Sequence, residues 1–315
     1  MSENKVQKKV AVLLSTYNGE KYILEQLQSL RNQYTDFPVD IHIRDDGSND
    51  NTCKIIQDYS KNKGSVFLYQ GDNIGVVASF LWLVDNINGY DYYAFCDQDD
   101  VWEPLKIFAA VHKLEPLGQN TATVYCSAYD YVDQELKFLG NFRSRSDFSL
   151  NNILIENCAP GCTLLFNNRM REVYKDITLE NISRKIIMHD WFFVILASIF
   201  GKVVYDNNSY LLYRQHANNV VGKKNGFISI LLAKIKQFNK DKRKKRHPLS
   251  IQMELVAECC ADNKKQCAYI ISEKFNSSQT NLFKRMSYIV SGHIIRAKFI
   301  DDVIFKALYV FGYFK

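Results

Sequence analysis

Apolar and polar positions along the first hundred residues repeat one unit four times: a short apolar run, a polar turn, then apolar residues at helical spacing. Val10 to Leu14 runs into Ser15-Thr16-Tyr17-Asn18-Gly19, and Ile23, Leu24, Leu27 and Leu30 then share a helix face. Val39 to Ile43 runs into Arg44-Asp45-Asp46-Gly47-Ser48, where Asn49 or Asp50 can cap a helix carrying Cys53, Ile56 and Tyr59. Val66 to Tyr69 precedes the loop Gly71-Asp72-Asn73-Ile74-Gly75 and a helix lined by Val77, Phe80, Leu81 and Val84. Tyr92 to Cys96 is the fourth strand, ending in Asp97-Gln98-Asp99-Asp100. This alternation predicts an α/β fold, a mostly parallel sheet with flanking helices.

In such a sheet, ligands bind beyond the carboxyl ends of the strands. Each of the four strands ends in polar turn formers, so Ser15 to Asn18, Asp45-Asp46, Asp72-Asn73 and Asp97 to Asp99 are expected along one edge. No Gly-x-Gly-x-x-Gly follows the first strand and no P-loop is present, which disfavours both nucleotide-binding arrangements built on those turns. The second half is less regular. Thr123 to Ser127 reads as a strand, and Cys158 to Thr163 as a turn into Leu164-Leu165-Phe166. Met188-His189-Asp190-Trp191 opens a buried helix, Phe192 to Phe200, closed by Gly201 as a C-cap. Val203 to Tyr205 and Tyr210 to Tyr213 read as strands leading to Arg214-Gln215-His216.

Clustered carboxylates at the end of a buried strand repel one another and lose hydration, which does not favour stability. A hard divalent cation, Mg²⁺ or Mn²⁺, relieves that repulsion with oxygen ligands and keeps positions open for water or a ligand's phosphates. Taken alone, the turn fits equally well a solvated loop or a helix cap, with Asp99 or Asp100 preceding Val101-Trp102-Glu103-Pro104. The convergence of four polar loops shifts the balance toward a site.

Composition narrows the setting. An apolar fraction of 47% and 13% aromatic residues in 315 residues describe a globular chain able to bury a large core. Met1 to Lys9 is polar and the following apolar run is too short for a signal peptide, and no apolar stretch reaches the length of a membrane span. The eight cysteines lack the paired spacing of a zinc site and read as reduced thiols of a cytoplasmic protein. The net charge of +6 is unevenly spread: from Lys223 onward 19 Lys/Arg face 7 Asp/Glu, so the rest of the chain is acidic.

Ser15-Thr16-Tyr17-Asn18-Gly19-Glu20, Asp45-Asp46-Gly47-Ser48, Asp97-Gln98-Asp99-Asp100 and His189-Asp190-Trp191, in this order, resemble the family 2 glycosyltransferases of GT-A fold. The resemblance covers about Val10 to Gly222. Phe95 to Trp102, with Tyr213-Arg214-Gln215-His216 and Asn219, looks most like bacterial rhamnosyltransferases of surface-polysaccharide assembly. It implies a nucleotide-sugar donor, an inverting, metal-dependent transfer and a glycan or lipid-linked glycan acceptor. Thr16, Tyr17, Asn18, Glu20 and Asn73 would then line the nucleotide site. Asp46 or Asp45 would accept the N3–H of a uracil or thymine ring. Asp97 would lie near ribose and metal, Asp99 would be the firmest metal ligand with His216 able to approach, and Asp190 would be the general base. Asp190 also fits an N-cap of the helix starting at Trp191. His189 stands where the family commonly has Glu, which leaves its role open.

L-rhamnose from TDP-rhamnose is the expected donor chemistry, with a UDP-hexose the alternative. A sugar nucleotidyltransferase is disfavoured because no Gly-rich basic loop follows the first strand. The expected organisation is a GT-A domain over residues 1–222, a basic linker over 223–250 and a helical C-terminal tail over 251–315. Six Lys/Arg between Lys240 and Arg246 lack the interleaved aromatics of a nucleic-acid site, so no nucleic-acid partner is expected. Ile294-Ile295, Phe299-Ile300, Val303-Ile304 and Leu308-Tyr309 form an apolar helical stripe. It either packs on the body or lies peripherally on the inner leaflet of the plasma membrane.

Overall fold

A computed structural model describes residues 8–61, 64–177, 180–216, 246–261 and 266–314. The elements follow in the order β1 (Val10–Thr16), α1 (Ile23–Arg31), β2 (Val39–Asp45), α2 (Thr52–Ser60), β3 (Val66–Gln70), α3 (Val76–Asn86) and β4 (Tyr92–Cys96). Next come β5 (Val101–Trp102), α4 (Lys106–Leu114), β6 (Thr123–Val132), β7 (Phe138–Phe142), α5 (Leu150–Ile153), β8 (Leu165–Asn167) and α6 (Asn168–Lys175). The chain continues with α7 (Ile182–Lys185), α8 (His189–Phe200), β9 (Lys202–Arg214), α9 (Pro248–Ala261), α10 (Gln266–Ser277), α11 (Leu282–Val290) and α12 (Phe299–Val310). These elements form two compact units. The first is built from Met1–Ser144, Ala159–Thr178 and His189–Arg214, the second from Arg145–Cys158, Leu179–Met188 and Gln215–Lys315.

The first unit is a sheet in the order β3-β2-β1-β4-β8-β6-β9-β5, with β7 paired to β6. β3, β2, β1 and β4 run parallel. Val10 to Leu14 are fully buried on both faces, as expected for a parallel strand covered by helices on each side. On α1 the buried face carries Ile23, Leu27 and Leu30, while Leu24 is exposed. β8 inserts antiparallel between β4 and β6, so the sheet becomes mixed beyond β4.

Two local expectations are revised. Val101-Trp102 is a short strand antiparallel to β9, and the next helix begins only at Lys106, so Asp99 and Asp100 do not cap it. The two strands expected after Gly201 are one, β9, because Asn207-Asn208 bulge out between the pairs Ser127–Asp206 and Ala128–Ser209. The Asp206 carboxylate accepts the Asn208 N–H inside the bulge (3.0 Å).

The second unit is helical. In α12, Phe305 and Tyr309 are buried, with the Tyr309 ring 5.0 Å from Phe275 and 5.2 Å from Tyr288. Ile294 is buried outside any helix, and Phe299, Ile300 and Val303 are exposed, so the expected continuous stripe divides into a packed part and an open part. Lys240 to Lys245 of the basic run lie outside the described residues, and Arg246 pairs with Glu254 at 2.9 Å.

Gly201 does not take the left-handed conformation of a C-capping glycine. It is required by contact: a Cβ there would stand 1.8 Å from the Ala122 carbonyl oxygen, which accepts the Lys202 N–H and starts the β6–β9 pairing. Gly201→Ala must therefore push β6 and β9 apart, at a cost of about 3 kcal/mol or more in urea unfolding. An unchanged unfolding midpoint would contradict this packing.

Candidate active site

The carboxyl ends of β1, β2, β3 and β4 are tied to one another by backbone and side-chain hydrogen bonds. Asp46 N–H donates to the Thr16 carbonyl (2.8 Å) and Gly71 N–H to the Asp45 carbonyl (3.1 Å). Gln98, between the acids, reaches across to β1. Its Oε1 accepts from Thr16 Oγ1 (2.6 Å) and Tyr17 N (2.9 Å), and its Nε2 donates to the Tyr17 carbonyl (3.2 Å). Asn18, at φ +48°, donates its N–H to Ser48 Oγ and accepts the Asn49 N–H on its Oδ1. Glu20 accepts from Asn51 N and Nδ2 at 3.0 and 2.8 Å, binding the first loop to the start of α2. The Tyr17 ring is left exposed.

Asp45 and Asp46 are buried and already engaged. Asp45 accepts from Gly47 N, Ser48 N and Ser48 Oγ, closing its own turn. Asp46 pairs with the buried Arg44 and accepts the N–H groups of Ile74 and Gly75, each at 2.9 Å. The 71–75 loop is thereby fixed against β2, and Gly47 is needed for the fit: its φ is +81°, and a Cβ would stand 3.0 Å from Asn73 N. Asn73 is exposed beside this turn.

At the end of β4 the acids are packed over buried cations. Asp100 is buried, and its Oδ1 accepts the Arg214 N–H (3.1 Å). The Arg214 side chain, 1% exposed, donates from Nε to the Asp99 carbonyl (2.9 Å), from Nη1 to the Gln134 carbonyl and from Nη2 to Glu25, with its guanidinium 4.6 Å from the Tyr22 ring centre. Burial pushes the Lys106 ammonium down to about 8, although Cys162, Cys96 and Asp100 act in the opposite sense. Burial first, then Asp99 and Asp190, push the Asp97 carboxyl up to about 7. Asp100 is raised well above the carboxylate range by burial and by Asp99 and Asp97.

An oxygen of Asp97, an oxygen of Asp100 and Sγ of Cys162 lie within 4.8 Å of one another. Cys162 is fully buried with its thiol pushed well up, and so stays protonated. Lys106 acts electrostatically on both Cys162 and Asp100. Asp97 and Asp99, both partly exposed and in mutual repulsion, are carboxylates that could hold a hard divalent cation.

Asp190 sits in the first turn of α8, which begins one residue before it, so it is not an N-cap. Its Oδ2 accepts the Gly161 N–H (2.8 Å), and the residue after Gly161, Cys162, has its Sγ within 4.8 Å of an Asp97 oxygen, so the two acids lie near one another. His189 is buried, stacked on Phe80 (3.9 Å) and edge-on to Phe95 (4.8 Å), and burial lowers it to about 3. Burial therefore favours its neutral imidazole form. Gly161 makes room for both: a Cβ would stand 3.0 Å from His189 Nε2 and 3.3 Å from Asp190 Cβ. His216 follows β9 by two residues and belongs to the second unit.

The residues that reasoning from sequence did not single out are Gln98, Arg214, Lys106, Gly161 and Cys162. Each acts through a partner more than 50 positions away, except Gly161, whose partners lie 28 and 29 positions on. Their only local signal is position: Gln98 lies inside the acidic motif, and Arg214 and Gly161 end or precede strands.

Residues 11–178 match the family model described as glycosyl transferase family 2. The chain is 33% identical over 220 residues to dTDP-rhamnosyl transferase RfbG of Shigella flexneri, covering 66% of this chain and 73% of the relative. It is 28% identical over 227 residues to an uncharacterized glycosyltransferase of Rickettsia prowazekii, covering 69% and 67%. The fold is similar to that of S. aureus TarS residues 1–349, solved in complex with UDP-GlcNAc, with a TM-score of 0.54 at 18% identity over 89% of this chain and 83% of that one. The α/β architecture is that of the GT-A glycosyltransferases, and the chain belongs to glycosyl transferase family 2.

Proposed function

We propose that the chain transfers L-rhamnose from dTDP-rhamnose, with inversion, to a growing glycan carried on a lipid. The observation that carries the transfer chemistry is the pairing of Asp190 with the acidic turn: a carboxylate close enough to raise Asp97 but held by a separate loop and helix. Asp97 and Asp99 would hold Mg²⁺ or Mn²⁺. When bound, such an ion neutralises the charge that develops on a departing diphosphate. Thr16, Tyr17, Asn18, Glu20, Asp45, Asp46 and Asn73 frame the nucleotide end, with Asp45 and Asp46 acting chiefly by shaping the pocket wall that meets the base edge. Asp190 takes the acceptor hydroxyl's proton, and its hydrogen bond from Gly161 fixes where that oxygen points. The similarity to a dTDP-rhamnosyl transferase supports thymidine and rhamnose over a UDP-hexose. The role proposed for His216, an approach to the metal, rests on the resemblance alone. The lipid-linked acceptor would bring the protein to the inner membrane surface as a peripheral protein, and among the described residues no helix is long and apolar enough to cross a membrane.

Asp190→Asn preserves shape and removes the base. Turnover should fall by about 10²-fold to 10⁴-fold with nucleotide affinity little changed, and the product from dTDP-β-L-rhamnose should be an α-rhamnoside by its anomeric NMR coupling. Retention of configuration, or an unimpaired variant, would contradict the assignment. Activity with UDP-hexoses and none with dTDP-rhamnose would replace the donor but keep the mechanism.

The raised Asp97 carboxyl also fixes a pH dependence. Below about pH 7 its proton competes with the cation, so Mn²⁺ affinity should fall about tenfold per pH unit as pH drops from 7 to 5. Read by isothermal titration, Asp97→Asn should bind weakly and show a flatter profile. Equal wild-type affinity at pH 5.5 and pH 8 would remove Asp97 from the metal site.

A further inference from the structure

The second unit carries a surface to which none of the roles above is assigned. A cleft of about 310 Å³ is lined by Lys274 and Ser277 of α10, Lys284, Ser287 and Tyr288 of α11, and His293 just beyond it. Ser278 and Ser291 also reach it, but their hydroxyls are already bonded to Tyr309 and to the Tyr288 carbonyl. Neither Lys274 nor Lys284 pairs with a carboxylate among the described residues. The cleft therefore offers two uncompensated ammonium groups, two hydroxyls and an imidazole to whatever enters. Those are donors for phosphate oxygens.

α11 divides into three faces. Arg285 and Tyr288 are buried, donating to the Val310 and Ile271 carbonyls at 2.7 and 3.0 Å. Lys284, Ser287 and Ser291 line the cleft. Phe283, Met286 and Val290 occur at helical spacing roughly opposite the buried face, and Phe283 and Val290 are 83% and 85% exposed. On α12 and just past it, Phe299 and Phe311 are 82% and 84% exposed as well. A helix that puts aromatic and aliphatic side chains into solvent beside a basic, hydroxyl-lined cleft has the composition of an interfacial helix.

We propose that this face of α11 docks on an anionic phospholipid surface, with a headgroup phosphate in the Lys274–Lys284–His293 cleft and Phe283, Met286 and Val290 among the upper acyl carbons. The proposal builds on the membrane-side acceptor reading above and places the contact on a defined surface. The basic balance of the chain from Lys223 onward is complementary to an anionic leaflet.

The test is sedimentation of the full chain with vesicles of phosphatidylcholine alone or with one-third phosphatidylglycerol. Wild type should partition onto the anionic vesicles and release with salt. Lys274→Ala/Lys284→Ala should bind roughly 30-fold more weakly, and Phe283→Ser/Val290→Ser at least about tenfold more weakly, both keeping wild-type turnover on a soluble acceptor. Wild-type binding lost only on neutralising Lys240 to Arg246 would leave the membrane reading standing and overturn this surface. No binding to either vesicle would overturn both. Loss of self-association in Phe283→Ser/Val290→Ser would make the stripe a contact between copies, and inorganic phosphate raising the melting temperature of wild type without vesicle binding would make the cleft a soluble-anion site. Either result overturns the lipid assignment.

Discussion

The acidic turn after β4 depends on one buried cation. Arg214, the last residue of β9, binds the backbone of Asp99, Asp100's carboxylate, the Gln134 carbonyl and Glu25 at once. A guanidinium with 1% exposure is tolerable only because its donors are matched by these acceptors and its face by Tyr22. Those partners come from α1, the turn after β6 and the turn after β4, so a single side chain fixes the acids relative to the first helix. Lys106 adds a second buried positive charge below Asp100 and Cys162. Arg214 thus holds the backbone of the turn, while burial and mutual repulsion raise the carboxyls of both Asp97 and Asp100.

That arrangement explains why repulsion at the site does not unfold it. Asp97 is raised by burial and by Asp99 and Asp190, and Asp100 is raised by burial and by Asp99 and Asp97 although its Oδ1 accepts a backbone N–H. The energy lost by crowding Asp97, Asp99 and Asp190 is available to a cation, which binds more tightly where like charges await it. Gln98 and Asp46 stiffen the neighbouring loops. They spend their polar atoms on the loop after β1 and the 71–75 loop, so the loops proposed to meet the nucleotide are held in place.

Local pattern made the first half legible. Val10 to Leu14, Tyr92 to Cys96 and the apolar face of α3 follow from periodicity because their burial is decided within each segment. The mixed half was not, since the antiparallel insertion of three-residue β8 and the pairing of two-residue β5 with β9 are settled by distant partners. The polar run Asp206 to Ser209 reads as a break in sequence, yet a side-chain hydrogen bond turns it into a bulge. The Asp97–Asp99 turn stood out by its clustered carboxylates, and Asp190 was marked only by the family resemblance. Arg214 was not, because an arginine at a strand end looks the same whether it is solvated or buried against Glu25, 189 residues away.

The turn held by Arg214 is the diphosphate site proposed above, with a divalent ion as its counter-charge. The most direct measurement is calorimetric titration of dTDP into wild type and Arg214→Met, each with Mn²⁺ and with a chelator. The account predicts that Mn²⁺ tightens dTDP binding to wild type by about tenfold or more, and that this gain disappears in Arg214→Met while the far-ultraviolet circular dichroism stays that of the folded protein. Equal dTDP affinity with and without Mn²⁺ in wild type, or a full metal effect in the folded variant, would contradict it.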